Sequence, residues 1–194
     1  MSILHDPNRL DIKNAHPSFQ AHTVETAHLT LRSFDEIDID ALYAIMRDTV
    51  AMRYTYKAPS REHCAARLHA YAEEAVTLGY APWTITLRDG GHVIGWGGLN
   101  IDPLDPDWGP EVAYCLHPAH CGRGYGTELV AASLELGFAR VGLETIAAFV
   151  HPENIGSARV LVKNGFQRLR YLSTMERDYY AVDRAGWEIA RPKA

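Results

Sequence analysis

The segment Cys121-Gly122-Arg123-Gly124-Tyr125-Gly126-Thr127 constrains this chain more than any other. An apolar alternating run, residues 111–117, leads into it, and Leu129, Ala132, Ser133 and Leu136 follow at helical spacing. A strand must turn sharply into a helix here, and three alternate glycines remove β-carbons at the turn. Successive backbone N–H groups can then converge on one point at a helix N-terminus, where unpaired amides and the macrodipole favour an anion. Arg123 adds a guanidinium fork that matches phosphate oxygens. The segment reads as a phosphate or pyrophosphate cradle, although a helix start that merely needs flexible turns would carry similar glycines. A Walker loop is excluded because no Gly-Lys-Ser/Thr follows. The Gly-x-Gly-x-Gly spacing also departs from the dinucleotide fingerprint, and Glu144, about 20 positions on, begins a strand instead of ending one.

Patterning on either side supplies the frame. Residues 28–32 alternate as a short strand, Asp35 can cap a helix carrying Ile39, Leu42, Ile45 and Met46, and Ser60 can cap a second helix that stops at Gly79. Residues 83–87 and 92–96 flank Asp89-Gly90-Gly91 as a hairpin. The spacing then predicts a strand at 111–117, a helix at 124–141, a strand at 145–150, a helix at 154–163, and strands at 166–171 and 179–183. This order gives an α/β (α+β) fold, a mixed sheet flanked by helices. Residues 1–23, polar and punctuated by Pro7 and Pro17, read as an N-terminal arm, and residues 24–194 as one domain.

Composition narrows the partners. Nineteen basic against 24 acidic residues leave a formal net charge of −5, so a basic sheath for nucleic acid is not expected. No apolar run approaches the roughly 20 residues of a membrane span, and the N-terminus lacks the pattern of a secretory signal. Three cysteines, an odd number without framework spacing, suit the reduced thiols of a cytoplasm. Cys115, His117, His120 and Cys121 crowd together but lack the second ligand pair that zinc sites usually have, so no metal is expected.

The glycine turn resembles the pyrophosphate-binding loop of the GNAT superfamily of acyl-CoA N-acyltransferases, usually Gln/Arg-x-x-Gly-x-Gly/Ala. Gly124 and Gly126 match it, and Cys121 departs from the usual first residue. The resemblance extends to His151-Pro152-Glu153-Asn154, Ser157, Val160, Lys163 and Asn164-Gly165-Phe166, which are similar to the second half of the CoA site in the RimJ/RimL ribosomal-protein acetyltransferase subgroup. Glu25-Thr26, Leu29 and Leu31-Arg32 resemble that subgroup's first strand, with Ala27-His28 replacing its common acidic–basic pair.

The resemblance implies a mostly antiparallel sheet in which the strands ending at Leu116-His117 and Val150-His151 are parallel and splay apart. Pantetheine would lie in the split, with the diphosphate on the amides of Gly122, Arg123, Gly124, Tyr125, Gly126 and Thr127 and with Asn154 on the pantetheine arm. The plainer alternative for Asn154 is an ordinary helix cap, and the two roles need not exclude each other. The implied activity is transfer of an acetyl group from acetyl-CoA to a primary amine, a protein N-terminus or a small molecule, by direct attack in a ternary complex. A homodimer is among the assemblies such relatives form.

The chemistry needs a neutral amine and a proton for the departing thiolate. A lysine-like amine, pKa about 10.4, is nearly all protonated at neutral pH, whereas a peptide α-amine near 8 needs only modest help. Glu111, at the start of its strand, is the candidate base, against the plain reading of a solvated carboxylate. Many superfamily members place a proton-donating tyrosine where this chain has Leu161, and Ser157 is the candidate that contacts the thiolate instead. Without that tyrosine, a non-catalytic acyl-CoA sensor remains open, as does another acyl donor. Trp83, Trp96, Trp108 and Tyr54 read as acceptor-pocket walls or as core; Asp102, Asp105 and Asp107 read as a receptor for a cationic acceptor or as solvated charges.

Overall fold

The computed structural model describes residues 23–102 and 106–191, so the proposed arm up to residue 22 and Asp105 lie outside the described residues. The elements run β1 (Val24–Glu25), β2 (Leu29–Arg32), α1 (Ile39–Met46), α2 (Arg61–Leu78), β3 (Trp83–Leu87), β4 (Val93–Asn100), β5 (Glu111–Leu116), α3 (Tyr125–Leu134), β6 (Thr145–Val150), α4 (Ile155–Lys163), β7 (Gln167–Leu172), β8 (Arg177–Asp183) and α5 (Arg184–Ala190). Eight strands form one sheet in the order β1-β2-β3-β4-β5-β6-β8-β7. Every neighbouring pair is antiparallel except β5 and β6.

Caps set the helix boundaries as the sequence indicates. The Ser60 hydroxyl accepts from His63 N–H at the start of α2, and Gly79, left-handed at φ 76°, ends it. Asp35 accepts from Ile37 N–H, opening a short 3₁₀ turn (Glu36–Asp38) ahead of α1. Asp38 is only 2% exposed and anchors that corner. It takes two 2.6 Å hydrogen bonds from Arg32 and one of 3.0 Å from the Thr84 hydroxyl. Burial opposes its charge, yet the Arg32 guanidinium and the Asp35 N–H hold the carboxyl below its ordinary value.

Two predicted boundaries move by four residues or more and one helix is new. The expected helix at 124–141 runs as α-helix only to Leu134, and Glu135–Val141 widens into π-helical turns. Gly137 lies in that stretch against Ile146 and Leu99, where a Cβ would come within 2.7 Å of Ile146 Cδ1. The helix therefore approaches the sheet at a point where only glycine fits. Strand β4 continues past the expected residue 96 to Asn100, because Gly97 and Gly98 still pair with Tyr114 and Ala113 on β5. Helix α5 was not anticipated; Asp183 accepts from Gly186 N–H to start it, and Trp187 is its buried anchor.

Helices α1 and α2 cover one face of the sheet, packing Leu42, Ile45, Met46, Leu68 and Tyr71 against Trp96 and Cys115. The other face carries α3 and α4, where Val130, Leu134 and Leu161 meet Leu99, Val112, Ile146 and Val150. Side chains alternate along β5, so Glu111, Ala113 and Cys115 point towards α1 and α2 while Val112, Tyr114 and Leu116 point towards α3 and α4.

Candidate functional site

The parallel pair is barely a pair. Glu111 against Ala147 is its one register position, reinforced by Ala147 N–H donating to Pro110 O at 2.9 Å. Beyond that point β5 stays bonded to β4 as far as Leu116, and β6 stays bonded to β8 as far as Val150. Each strand is held by its outer neighbour, and the slot between them opens towards both C-terminal ends. Ligands of open α/β sheets collect at such a place.

The glycine turn stands at the mouth of that slot. Gly122 and Gly124 are left-handed at φ 77° and 88°, and Gly124 is the N-cap of α3. Among the described residues, no carbonyl accepts from the amides of Gly122 through Gly126; the first bonded N–H is that of Thr127, to Gly124 O at 2.9 Å. Residues Cys121 to Gly124 are exposed. These amides therefore stand without a bonded carbonyl at the exposed N-terminus of α3, a kind of place that favours an anion. Residue Cys121 is exposed at the entry, while the His117 ring accepts from Ala119 N–H at 3.2 Å and so fixes the short turn after β5.

The turn between β1 and β2 braces the start of α3. Glu128, in the first turn of α3, accepts from the Thr26 hydroxyl at 2.6 Å and from His28 N–H at 3.1 Å, and its other oxygen lies 2.7 Å from His28 Nδ1. Burial works against the Glu128 charge, but the Thr26 and His28 hydrogen bonds outweigh it and hold the carboxyl below its usual value.

On the far side of the slot, Asn154 caps α4 by accepting from Ser157 N–H at 3.2 Å, which sets Ser157 one turn into the helix. Leu161 is fully buried among core side chains, so no hydroxyl is available at that position. Ser157 does not stand alone. The Tyr114 hydroxyl reaches across from β5 and donates to its Oγ at 3.1 Å.

Glu111 lies on the opposite face and is 8% exposed, which removes the reading of a solvated strand-end carboxylate. Its Oε1 accepts from Asn100 Nδ2 at 3.3 Å, the two residues being register partners on β4 and β5. The other amide atom of Asn100, Oδ1, is buried with no partner among the described residues. Tyr71 on α2, stacked on Trp96, lies within electrostatic reach of Glu111. Burial pushes its phenol up, Arg67 opposes the shift from 2.9 Å away, and the charges of Asp102 and Glu111 add to it. Tyr54 stacks on His151 at 5.1 Å, bringing the α1–α2 connection over the end of β6. Trp108 packs edge-on against Phe149 at 5.3 Å and against Tyr179 at 5.1 Å, whereas Trp83 and Trp96 are core residues.

Sequence reasoning pointed to the cradle, Asn154, Ser157 and Glu111, but missed Tyr71, Asn100 and Tyr114. Asn100 lay past the expected end of its strand. Tyr114 carried a legible signal, since its strand parity points it at the helix bearing Ser157.

An exposed glycine turn at the mouth of a splayed parallel strand pair is the setting in which the similarity to known proteins is read. A family model described as an acetyltransferase (GNAT) domain matches residues 28–167, and the chain belongs to this family of acetyltransferases. The uncharacterised N-acetyltransferase p20 of Bacillus licheniformis is 30% identical over 158 residues, 80% of this chain and 88% of that protein. An acetyltransferase structure from Agrobacterium tumefaciens str. C58 superposes with a TM-score of 0.72 at 27% identity, covering 87% of this chain and 98% of that one. The fold is also that of a spermidine N-acetyltransferase from Vibrio cholerae in complex with CoA and spermine, with a TM-score of 0.68, 16% identity and coverage of 84% and 99%.

Proposed function

We propose that this enzyme transfers the acetyl group of acetyl-CoA to a primary amine by direct attack in a ternary complex, and that residues from 24 onward act as one catalytic unit. The observation that carries the reading is the slot between β5 and β6, which opens from a single paired position towards an exposed cradle of unpartnered amides. The amides of Gly122 to Thr127 would hold the diphosphate, Arg123 would add charge, and strand atoms near Leu116 and His117 would meet the pantetheine arm together with Asn154. When bound, acetyl-CoA supplies an activated thioester and a thiolate leaving group.

The two faces of the slot then have separate tasks. Glu111 receives the amine on the α1–α2 face, directly or through a water, and takes the proton that the nitrogen loses. Desolvation there strengthens the attraction between its carboxylate and a cationic acceptor. Ser157 meets the sulfur on the α3–α4 face, where the first turn of α4 favours the developing negative charge. The spermine held by the Vibrio cholerae neighbour supports a small polyamine-like amine as acceptor. Ser157 with Leu161, in place of the common tyrosine, supports placing the chain in the RimJ/RimL-type branch, whose acceptors are peptide α-amines.

Thiol release from acetyl-CoA, measured with polyamines, amino sugars and N-terminal peptides in parallel, tests the proposal. Turnover that depends on an amine is expected. Tight CoA binding without turnover on any amine would favour a sensor, and turnover only with another acyl-CoA would move the donor assignment.

A further inference from the structure

The family's common proton donor is absent at Leu161, and Ser157 by itself is a poor acid, since an unperturbed serine hydroxyl holds its proton far above neutral pH. The structure offers a second hydroxyl. Tyr114 leaves the middle of β5, on the slot side, and its ring passes beneath the first turn of α3. A Cβ on Gly126 would lie 3.4 Å from the Tyr114 ring, and a Cβ on Gly97 would lie 2.3 Å from Tyr114 Cβ. Gly97 thus lets β4 and β5 approach closely at this position, and the ring lies in van der Waals contact range of the start of α3 at Gly126. The ring ends at Ser157, where the phenol donates to Oγ at 3.1 Å. Because that contact uses a lone pair of Ser157, the serine's own proton stays available for a third group. Ser157 N–H is already bonded to Asn154 Oδ1, so the hydroxyl is fixed in place at the first turn of α4.

From this geometry we infer that Tyr114 is the proton source of the reaction, acting through Ser157 as a two-hydroxyl relay that protonates the leaving thiolate in place of the tyrosine absent at position 161. The inference rests on the acetyl-transfer reading above. In the step, the amine nitrogen forms a C–N bond to the acetyl carbon and the C–S bond breaks, the sulfur keeping the electron pair. Ser157 Oγ–H gives its proton to the sulfur as Tyr114 O–H gives its proton to Ser157 Oγ. The phenolate left behind is reprotonated from water, and the amine's proton leaves on the other face through Glu111, so no proton is gained or lost overall. Burial raises the Tyr114 phenol, and the Ser157 contact only partly offsets this. The phenol therefore carries its proton across the neutral range, which is the form a donor needs.

Tyr114→Phe keeps the ring, its packing beneath Gly126 and its place on β5, and removes one oxygen. It should lower kcat about 100-fold while the affinity for CoA stays within about twofold. A second readout does not depend on turnover: the ultraviolet absorbance of the thiolate follows ionisation of the bound CoA thiol as pH rises. The hydroxyl pair stabilises that thiolate, so Tyr114→Phe should make its ionisation roughly three- to tenfold less favourable, and Ser157→Ala should do the same. The double variant should be no more than about twofold worse in kcat than the poorer single variant, because one path is cut twice. A Tyr114→Phe enzyme within twofold of wild-type kcat, an unmoved thiol titration, or fully multiplicative single effects would each overturn the relay while leaving acetyl transfer standing. A wild-type chain that neither binds CoA nor releases thiol would instead remove the reading on which the relay depends.

Discussion

Replacing Gly124 by alanine separates the cradle's geometry from its packing. Gly124 sits at φ 88°, and an added Cβ would meet nothing within 4 Å. The substitution therefore introduces no clash; its whole cost is the left-handed backbone, about 1–2 kcal/mol for a residue with a β-carbon. Because the turn is exposed, the free variant can relax locally and its thermal midpoint should stay within about 2 °C of wild type. The cost is then met on binding, when the amides must be restored to the presenting conformation. At about 1.4 kcal/mol per tenfold, CoA affinity should fall roughly five- to thirtyfold in calorimetric titration. Gly142→Ala is the control. Its φ of 85° and empty surroundings are similar, but its N–H closes the end of the π-helical stretch far from the cradle. That variant should lose about 1 kcal/mol of stability and keep wild-type CoA affinity. If Gly124→Ala lost stability but bound CoA normally, the turn would be held by the protein rather than presented to a ligand, and the reasoning would be refuted.

Other outcomes follow from the same contacts. Glu111→Gln should lower kcat about 100-fold with CoA affinity unchanged, seen as a loss of amine turnover in steady-state assays with normal calorimetry. Asp38→Asn should cost about 2–4 kcal/mol in urea unfolding, since it strands the half-buried Arg32 charge. Because the folded Asp38 carboxyl lies below its unfolded value, its contribution is present above about pH 4 and is lost as pH falls below that, so the wild type's advantage over Asp38→Asn should shrink in acid. Burial pushes the Cys115 thiol up to about 12 and also raises Cys64 and Cys121, but of the three only Cys121 is exposed, so limited maleimide should label Cys121 first, and CoA should slow it.

How much of this was legible in the sequence depends on the range of the physics involved. Caps are local: Ser60, Asn154 and Asp183 each bond an amide three residues on, and the first two were readable as written. The cradle was readable because alternate glycines before a helical stripe restrict the backbone without help from tertiary structure. The π-helical turns at Glu135–Val141 were not, since nothing in the local periodicity records that Gly137 must approach Ile146 and Leu99. The hidden part of the site is non-local for the same reason. Asn100 meets Glu111, and Tyr114 meets Ser157 over 43 positions, only because of the sheet register and the helix that crosses it. Glu111 was identified from its position on a strand, but its burial, which makes it more than a surface carboxylate, comes from α1 and α2 folding over that face.

The most direct test is an amide-resolved titration of the folded, isotope-labelled protein with CoA, followed by nitrogen–proton correlation spectra. The account predicts that the largest saturable shifts fall on Gly122, Arg123, Gly124, Tyr125 and Gly126, with a second group at Asn154 and Ser157 across the slot. Saturable shifts confined to other surfaces, with those amides unmoved at full occupancy, would contradict it.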